Sequence, residues 1–147
     1  MPEKFRLRKA TPKDIDLIQE MLQANDLPTE DIPEIIDALV IASKGTTIIG
    51  IGGVERHGDF GLLRSIVIES SLRGKGYGTT LCNELIEQAK NDKINELFLL
   101  TIHAEAFFNR LGFERVPRDE IPQEMQDTAE FKTLCPISSI CLQLNLV

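Results

Sequence analysis

Reactive side chains are scarce in this chain. Of its 147 residues two are histidine, three are cysteine, one is tyrosine and none is tryptophan. His57 and His103 do not stand at zinc-site spacing from the cysteines, so no metal centre is expected. Cys82, Cys135 and Cys141 are an odd number, and no signal-peptide core follows Met1-Pro2-Glu3-Lys4. Reduced thiols are therefore expected rather than a disulfide framework. No apolar run approaches the roughly 18 residues of a membrane span. Basic charge is short too: 16 Lys and Arg stand against 23 Asp and Glu, a formal net charge of −7. That balance argues against general affinity for nucleic acid, where a basic face supplies most of the binding, and against anionic membrane surfaces. A cytoplasmic protein with neither nucleic-acid nor membrane partners is expected.

What is present reads as an ordinary folded domain. Hydrophobic residues make up 42% and charged residues 27%, which indicates neither disorder nor a fibrous repeat. The length suits a single domain, 1–147. Residues 5–9 alternate Phe5 and Leu7 against Lys4, Arg6 and Arg8, a strand with one apolar face. Thr11-Pro12-Lys13-Asp14 announces a helix with Ile15, Ile18 and Leu22 on its buried stripe. Pro33 opens a short second helix toward Ala38, and residues 39–42 are apolar and β-prone. Lys44-Gly45 turns into a strand over 46–55, whose Gly50, Gly52 and Gly53 predict a bulge or a close neighbouring backbone. Arg56-His57-Gly58-Asp59 reads as a hairpin turn, and 60–68 as a central strand. Leu81, Cys82, Leu85, Ile86 and Ala89 line one face of a helix. A buried strand over 96–101, a short helix over 104–111 stopped at Gly112, and strands over 113–116 and 139–144 complete the order. Residues 117–136 read as irregular or partly helical. The whole is α/β (α+β): a mixed sheet with helices on both faces.

The most informative stretch joins the strand over 60–68 to the amphipathic helix: Leu72-Arg73-Gly74-Lys75-Gly76-Tyr77-Gly78. Glycines leave consecutive backbone N–H groups free to converge on an anion at the positive end of the helix, and Arg73 and Lys75 add charge. The spacing fits neither the dinucleotide fingerprint nor the nucleotide P-loop. As Arg73-x-x-Gly76-x-Gly78 it resembles the coenzyme A pyrophosphate loop of the GNAT acetyltransferase superfamily. Ala106-Phe107-Phe108-Asn109-Arg110-Leu111-Gly112-Phe113 is similar to that superfamily's second signature, an aromatic pair followed by x-x-x-Gly-Phe.

The resemblance implies the GNAT fold, with a mostly antiparallel central sheet, and acetyl-CoA as co-substrate. An acceptor amine would attack the thioester directly. Implied coenzyme contacts are the backbone of Ile66, Val67 and Ile68, taken as a strand partner of the pantetheine arm, the loop Arg73, Gly74, Lys75, Gly76, Tyr77 and Gly78, and also Thr79, Phe107 and Asn109. Two departures matter. Phe108 stands where many members carry a tyrosine acid for the departing thiolate. Leu62 or Leu63 stands where histone-type members carry a glutamate base. Glu55, His57, Glu69, His103 and Glu105 remain as candidate bases, with His103 and Glu55 taken as catalytic; His103 follows a strand end that opens toward a crevice.

Weak provision of bases favours an α-amine, whose pKa of roughly 8 lies below the roughly 10.4 of a lysine ε-amine. Arg64 interrupts an apolar strand and needs an anion, either a substrate carboxylate or an internal partner such as Glu55 or Glu69. Residues 129–141, with Gly61-Leu62-Leu63-Arg64-Ser65 and Leu27-Pro28-Thr29, resemble the arsenic-resistance-associated acetyltransferase branch and, more faintly, short N-acetylglutamate synthases. That implies a small acceptor with an amino-acid core. Cys135 and Cys141 read as buried packing in preference to thiol chemistry. Two other functions fit the same features: a catalytically silent acyl-CoA-binding domain, suggested by Phe108, and peptide N-acetylation, suited by the acidic balance. A homodimer formed through the last strand is an expectation from fold analogy.

Overall fold

A computed structural model describes residues 5–136 and 138–147; Lys4 and Ile137 of the stretches above lie outside the described residues. Seven strands form one sheet: β1 (Arg6–Lys9), β2 (Leu39–Lys44), β3 (Thr47–His57), β4 (Phe60–Ile68), β5 (Glu96–Thr101), β6 (Glu114–Arg115) and β7 (Ile140–Asn145). They run in the order β1-β2-β3-β4-β5-β7-β6. Every pairing is antiparallel except β4 with β5. The helices are α1 (Ile15–Gln23), α2 (Ile32–Ile35), α3 (Tyr77–Asn91), α4 (Glu105–Arg110) and α5 (Gln123–Gln126). The expected mixed, mostly antiparallel sheet with helices on both faces is what is observed.

Side-chain alternation along the central strands assigns the layers. Leu63 of β4 and Leu97 and Leu99 of β5 pack with Leu81, Cys82, Leu85, Ile86 and Ala89 of α3 and Phe108 of α4. Leu62 and Phe98, on the opposite face, pack with Met125 of α5 and Phe131. Glu55 pairs with Leu62 and Gly53 with Arg64, so Glu55 and Arg64 share that second face. Farther along it, Ile51 and Val67 meet Ile18 and Leu22 of α1 and Ile32 of α2. Arg64 thus lies where the α1–α2 layer meets the segment between β6 and β7.

The glycines of β3 have the cause expected for them. A Cβ built on Gly53 would lie 2.3 Å from the Ala38 carbonyl oxygen, and one on Gly50 2.6 Å from that of Val67. Register breaks between Ile51 and Gly53, so Ser65 and Ile66 bulge opposite Gly52. Ser65 holds φ at 61° there, a conformation that non-glycine residues seldom adopt.

Several boundaries differ from the sequence reading. β3 continues through Arg56 and His57, which pair with Gly61 and Phe60, so the hairpin turn shrinks to Gly58-Asp59 with Gly58 at φ 63°. Near 113–116 only Glu114 and Arg115 pair as strand. Residues 117–136 contain α5 and a single π-helical turn, Glu130–Leu134. The final strand is interior, with β5 on one side and β6 on the other. A dimer made by adding a strand to β7 would therefore have to displace β6.

Candidate active site

Parallel pairing of β4 with β5 covers only Phe60 to Leu62 against Glu96 to Phe98. Beyond Leu62 the strands part, because β5 continues straight along β7 while β4 bulges at Ser65 and Ile66. The backbone of residues 66–68 therefore borders a gap of the kind an extended ligand fills by strand addition.

The glycine loop continues from that edge. Residues 70–72 form a 3₁₀ turn stapled by Glu69, whose carboxylate accepts the Ser71 N–H at 2.8 Å and the Ser71 hydroxyl. Gly74 and Gly76 hold φ at 78° and 87°, and Gly76 is the N-cap of α3. First-turn N–H groups of a helix have no intrahelical acceptor, so those of α3 are aimed at whatever sits before it. A Cβ on Gly74 would meet nothing within 4 Å, whereas one on Gly78 would touch the Phe107 ring at 3.5 Å. Lys75 and Thr79 are exposed, as is Asn109 on α4. The Tyr77 side chain turns inward and packs on Phe5, ring centroids 6.1 Å apart, leaving its backbone to face the loop.

Arg73 folds back along β4. Its Nε donates to the Ile68 carbonyl at 3.0 Å and its Nη2 to Asn25 Oδ1 at 2.6 Å. Behind it lies a cavity of about 290 Å³ lined by Met21, Asn25, Val67, Ile68, Ser70 and Arg73 among others.

Proton-handling groups are distributed unevenly. Phe108 is buried between Phe107 and Phe113, at centroid distances of 5.0 and 5.7 Å, and offers no hydroxyl. His103 is exposed in the turn that follows β5, a turn held by the Ala104 N–H donating to Thr101 Oγ1 at 3.0 Å. Glu69 is committed to Ser71, and Glu105 to a two-pronged pair with Arg115; both carboxyls are held below the ordinary range by those hydrogen bonds. Glu55 receives Arg64 Nη1 on Oε1 at 2.9 Å and faces His57 Nε2 across 2.5 Å on Oε2.

Arg64 itself is surrounded. Its side chain is 0% exposed. Nη1 and Nη2 donate to the two oxygens of Asp31 at 2.5 and 2.7 Å, and Nε lies 3.2 Å from both Glu130 Oε2 and Ser65 Oγ. Of the two kinds of partner expected for Arg64, a substrate carboxylate or an internal one, the structure supplies the internal kind: the chain's own carboxylates surround the guanidinium. Of the internal partners anticipated, Glu55 is present and Glu69 is not; Asp31 and Glu130 were not foreseen. Burial works against the Arg64 charge, but the Asp31 hydrogen bonds and the Glu130, Asp31 and Glu55 carboxylates more than offset it and raise its pKa. Burial pushes Glu130 up to about 7, against the pull of Arg64 and with the further push of Asp31 and Glu55. Cys141 packs in the core beside Phe131 as expected, whereas Cys135 is half-buried; burial raises both thiols to about 12. Among the described residues no group of three metal-ligating side chains is assembled, and no helix is long and apolar enough to cross a membrane.

A family model described as "Acetyltransferase (GNAT) family" matches residues 11–113. An uncharacterized N-acetyltransferase of Chlorobaculum tepidum is 27% identical over 85 residues, 58% of this chain and 52% of that protein. An amino-acid acetyltransferase of Mycobacterium tuberculosis is 26% identical over 54% of this chain and 46% of its own length. In shape the chain matches N-acetylglutamate synthase from Neisseria gonorrhoeae, solved with coenzyme A and N-acetyl-glutamate. The TM-score is 0.85 at 20% identity, over 100% of this chain and 36% of the synthase. The chain spans about half the length of these two curated relatives.

Proposed function

The chain belongs to the acetyltransferase (GNAT) family, and from that premise we propose that it moves an acetyl group from acetyl-CoA to the amine of a small, amino-acid-like acceptor. The observation that carries this is the continuous edge formed by the β4 gap, the Ser65–Ile66 bulge and the glycine-loop helix terminus. That edge fits coenzyme A in its chemistry. Loop and first-turn N–H groups from Gly74 to Gly78, with Thr79 and Lys75 beside them, suit a pyrophosphate. The backbone of Ile66, Val67 and Ile68 suits the two amides of a pantetheine arm. Phe107 lies against Gly78 at the same helix end, and Asn109, two residues on, is exposed on α4.

The acceptor nitrogen attacks the thioester carbonyl carbon, and a bulge N–H stabilises the oxyanion before the carbon–sulfur bond breaks. Glu55 with His57, or His103, takes the proton released by the amine. Solvent protonates the thiolate, because Phe108 has no proton to give. The amino-acid acceptor is supported by the amino-acid acetyltransferase and N-acetylglutamate synthase relatives, and the narrower arsenic-resistance resemblance points to the same class. A second reading, coenzyme binding without turnover, is favoured by the hydroxyl-free aromatic trio around Phe108.

Thiol release from acetyl-CoA decides between them. The panel pairs amino acids, including glutamate and its phosphorus and arsenic analogues, with polyamines and short basic peptides. Stimulation confined to amino acids is the expected result. Coenzyme binding with no stimulation by any member would sink the transferase reading in favour of the silent domain.

A further inference from the structure

Three carboxylates meet Arg64, but they differ in how they are held. Glu55 stands on β3, inside the sheet, with its second oxygen on His57. Glu130 is 7% exposed and is the first residue of the π-helical turn. Asp31 belongs to the connection between α1 and α2, is 14% exposed, and alone grips both Nη1 and Nη2. It stands at the N-cap of α2 yet makes no side-chain cap there. Its carboxylate is thus committed to Arg64 although the local backbone offers it the usual alternative. Arg64 directly precedes Ser65 of the bulge, where the proposed acetyl transfer takes place.

We infer that Asp31 stands in the place of the acceptor's carboxylate: an amino-acid acceptor binds by exchanging its own carboxylate for that of Asp31 on the Nη1–Nη2 edge of Arg64. This rests on the acetyl-transfer reading given above. The exchange trades one bidentate carboxylate for another, so the buried guanidinium is never left unpaired, which is the costly alternative. An amine without a carboxylate gains nothing from the exchange and leaves Asp31 in place. Asp31 is then a specificity-determining residue that competes with the substrate it helps to select.

The test compares an amino acid from the panel with its decarboxylated amine, in wild type and in Asp31→Asn. The preference for the acid, taken as a ratio of kcat/KM values, is expected to rise by about fivefold or more in the variant, chiefly through a lower KM for the acid. A ratio unchanged within about twofold, or a shift shared equally by acid and amine, overturns the inference. Should Asp31→Asn not fold, the wild-type protein answers through its Arg64 guanidinium ¹⁵N–¹H signals, assigned with Arg64→Lys. These are expected to move on adding the amino acid and to stay put on adding the amine; signals unmoved by both overturn the inference. Failure of both acceptors to stimulate thiol release removes the acetyl-transfer reading and this inference with it. Turnover of both with an unaltered ratio leaves transfer standing and removes only the exchange.

Discussion

Glu130 is a carboxylate buried beside a cation, and its chemistry is set by the balance between those two facts. An ordinary glutamate titrates at 4.5; burial here raises Glu130 to about 7. A folded-state pKa above the unfolded one means that the folded chain holds its proton more tightly. The stability this group contributes is therefore full below about 4.5 and is lost as pH climbs through about 7. Glu130→Gln removes that loss. The unfolding free energy of wild type relative to the variant should fall by roughly 2–3 kcal/mol between about pH 5 and about pH 7.5. Urea titrations at the two pH values check it, and a difference independent of pH would mean that Arg64 holds Glu130 ionised throughout. Nothing in the sequence around Glu130 marked it: it lies in a stretch without clear periodicity, and its partner is on the central strand. Arg64 was legible as a residue in need of an anion, because a charge in an apolar run must be answered. Asp31 was not, since it sits 33 residues away in a connection that reads as polar loop.

At the scale of elements, periodicity reveals strands and helices, and sterics explain the exceptions. The order of strands and helices was readable because apolar spacing of two and of three to four is direct and local. The split between β4 and β5 was not, since it arises from a bulge whose cause lies across the sheet, where β3 changes register. The glycines gave the clue without the geometry. Gly53 shows why the clue is strict: its missing Cβ leaves room for the Ala38 carbonyl, a backbone atom that cannot swing away. Gly53→Ala should cost about 1–3 kcal/mol in unfolding free energy, measured by urea denaturation. A value near zero would show that the 36–38 turn yields freely. The short β6 was overestimated for a related reason: apolar residues at Phe113 and Val116 suggested a strand, but only the two between them pair as one.

Over the whole molecule, the sheet ends in short, charged edges. β1 reads Arg-Leu-Arg-Lys and β6 is the pair Glu114–Arg115, both poor templates for further strands. Its centre is completed by the last strand in sequence. β7 pairs with β5 along all six of its residues and with β6 at Leu142 and Gln143. A chain ending at Ser138 would leave Leu99 without a paired strand and Phe98 with β4 alone. It is expected to lose cooperative urea unfolding and to aggregate; a sharp transition in the truncated chain would contradict this.

That placement also has a consequence in time. A ribosome makes this protein from β1 toward β7, and the apolar strand β5 emerges with no partner on its far side until residues 140–145 have cleared the exit tunnel. For about forty residues of synthesis, at roughly 5–20 residues per second, the nascent chain carries an open, adhesive edge. The window for errors in its biogenesis therefore closes only with the arrival of its final strand.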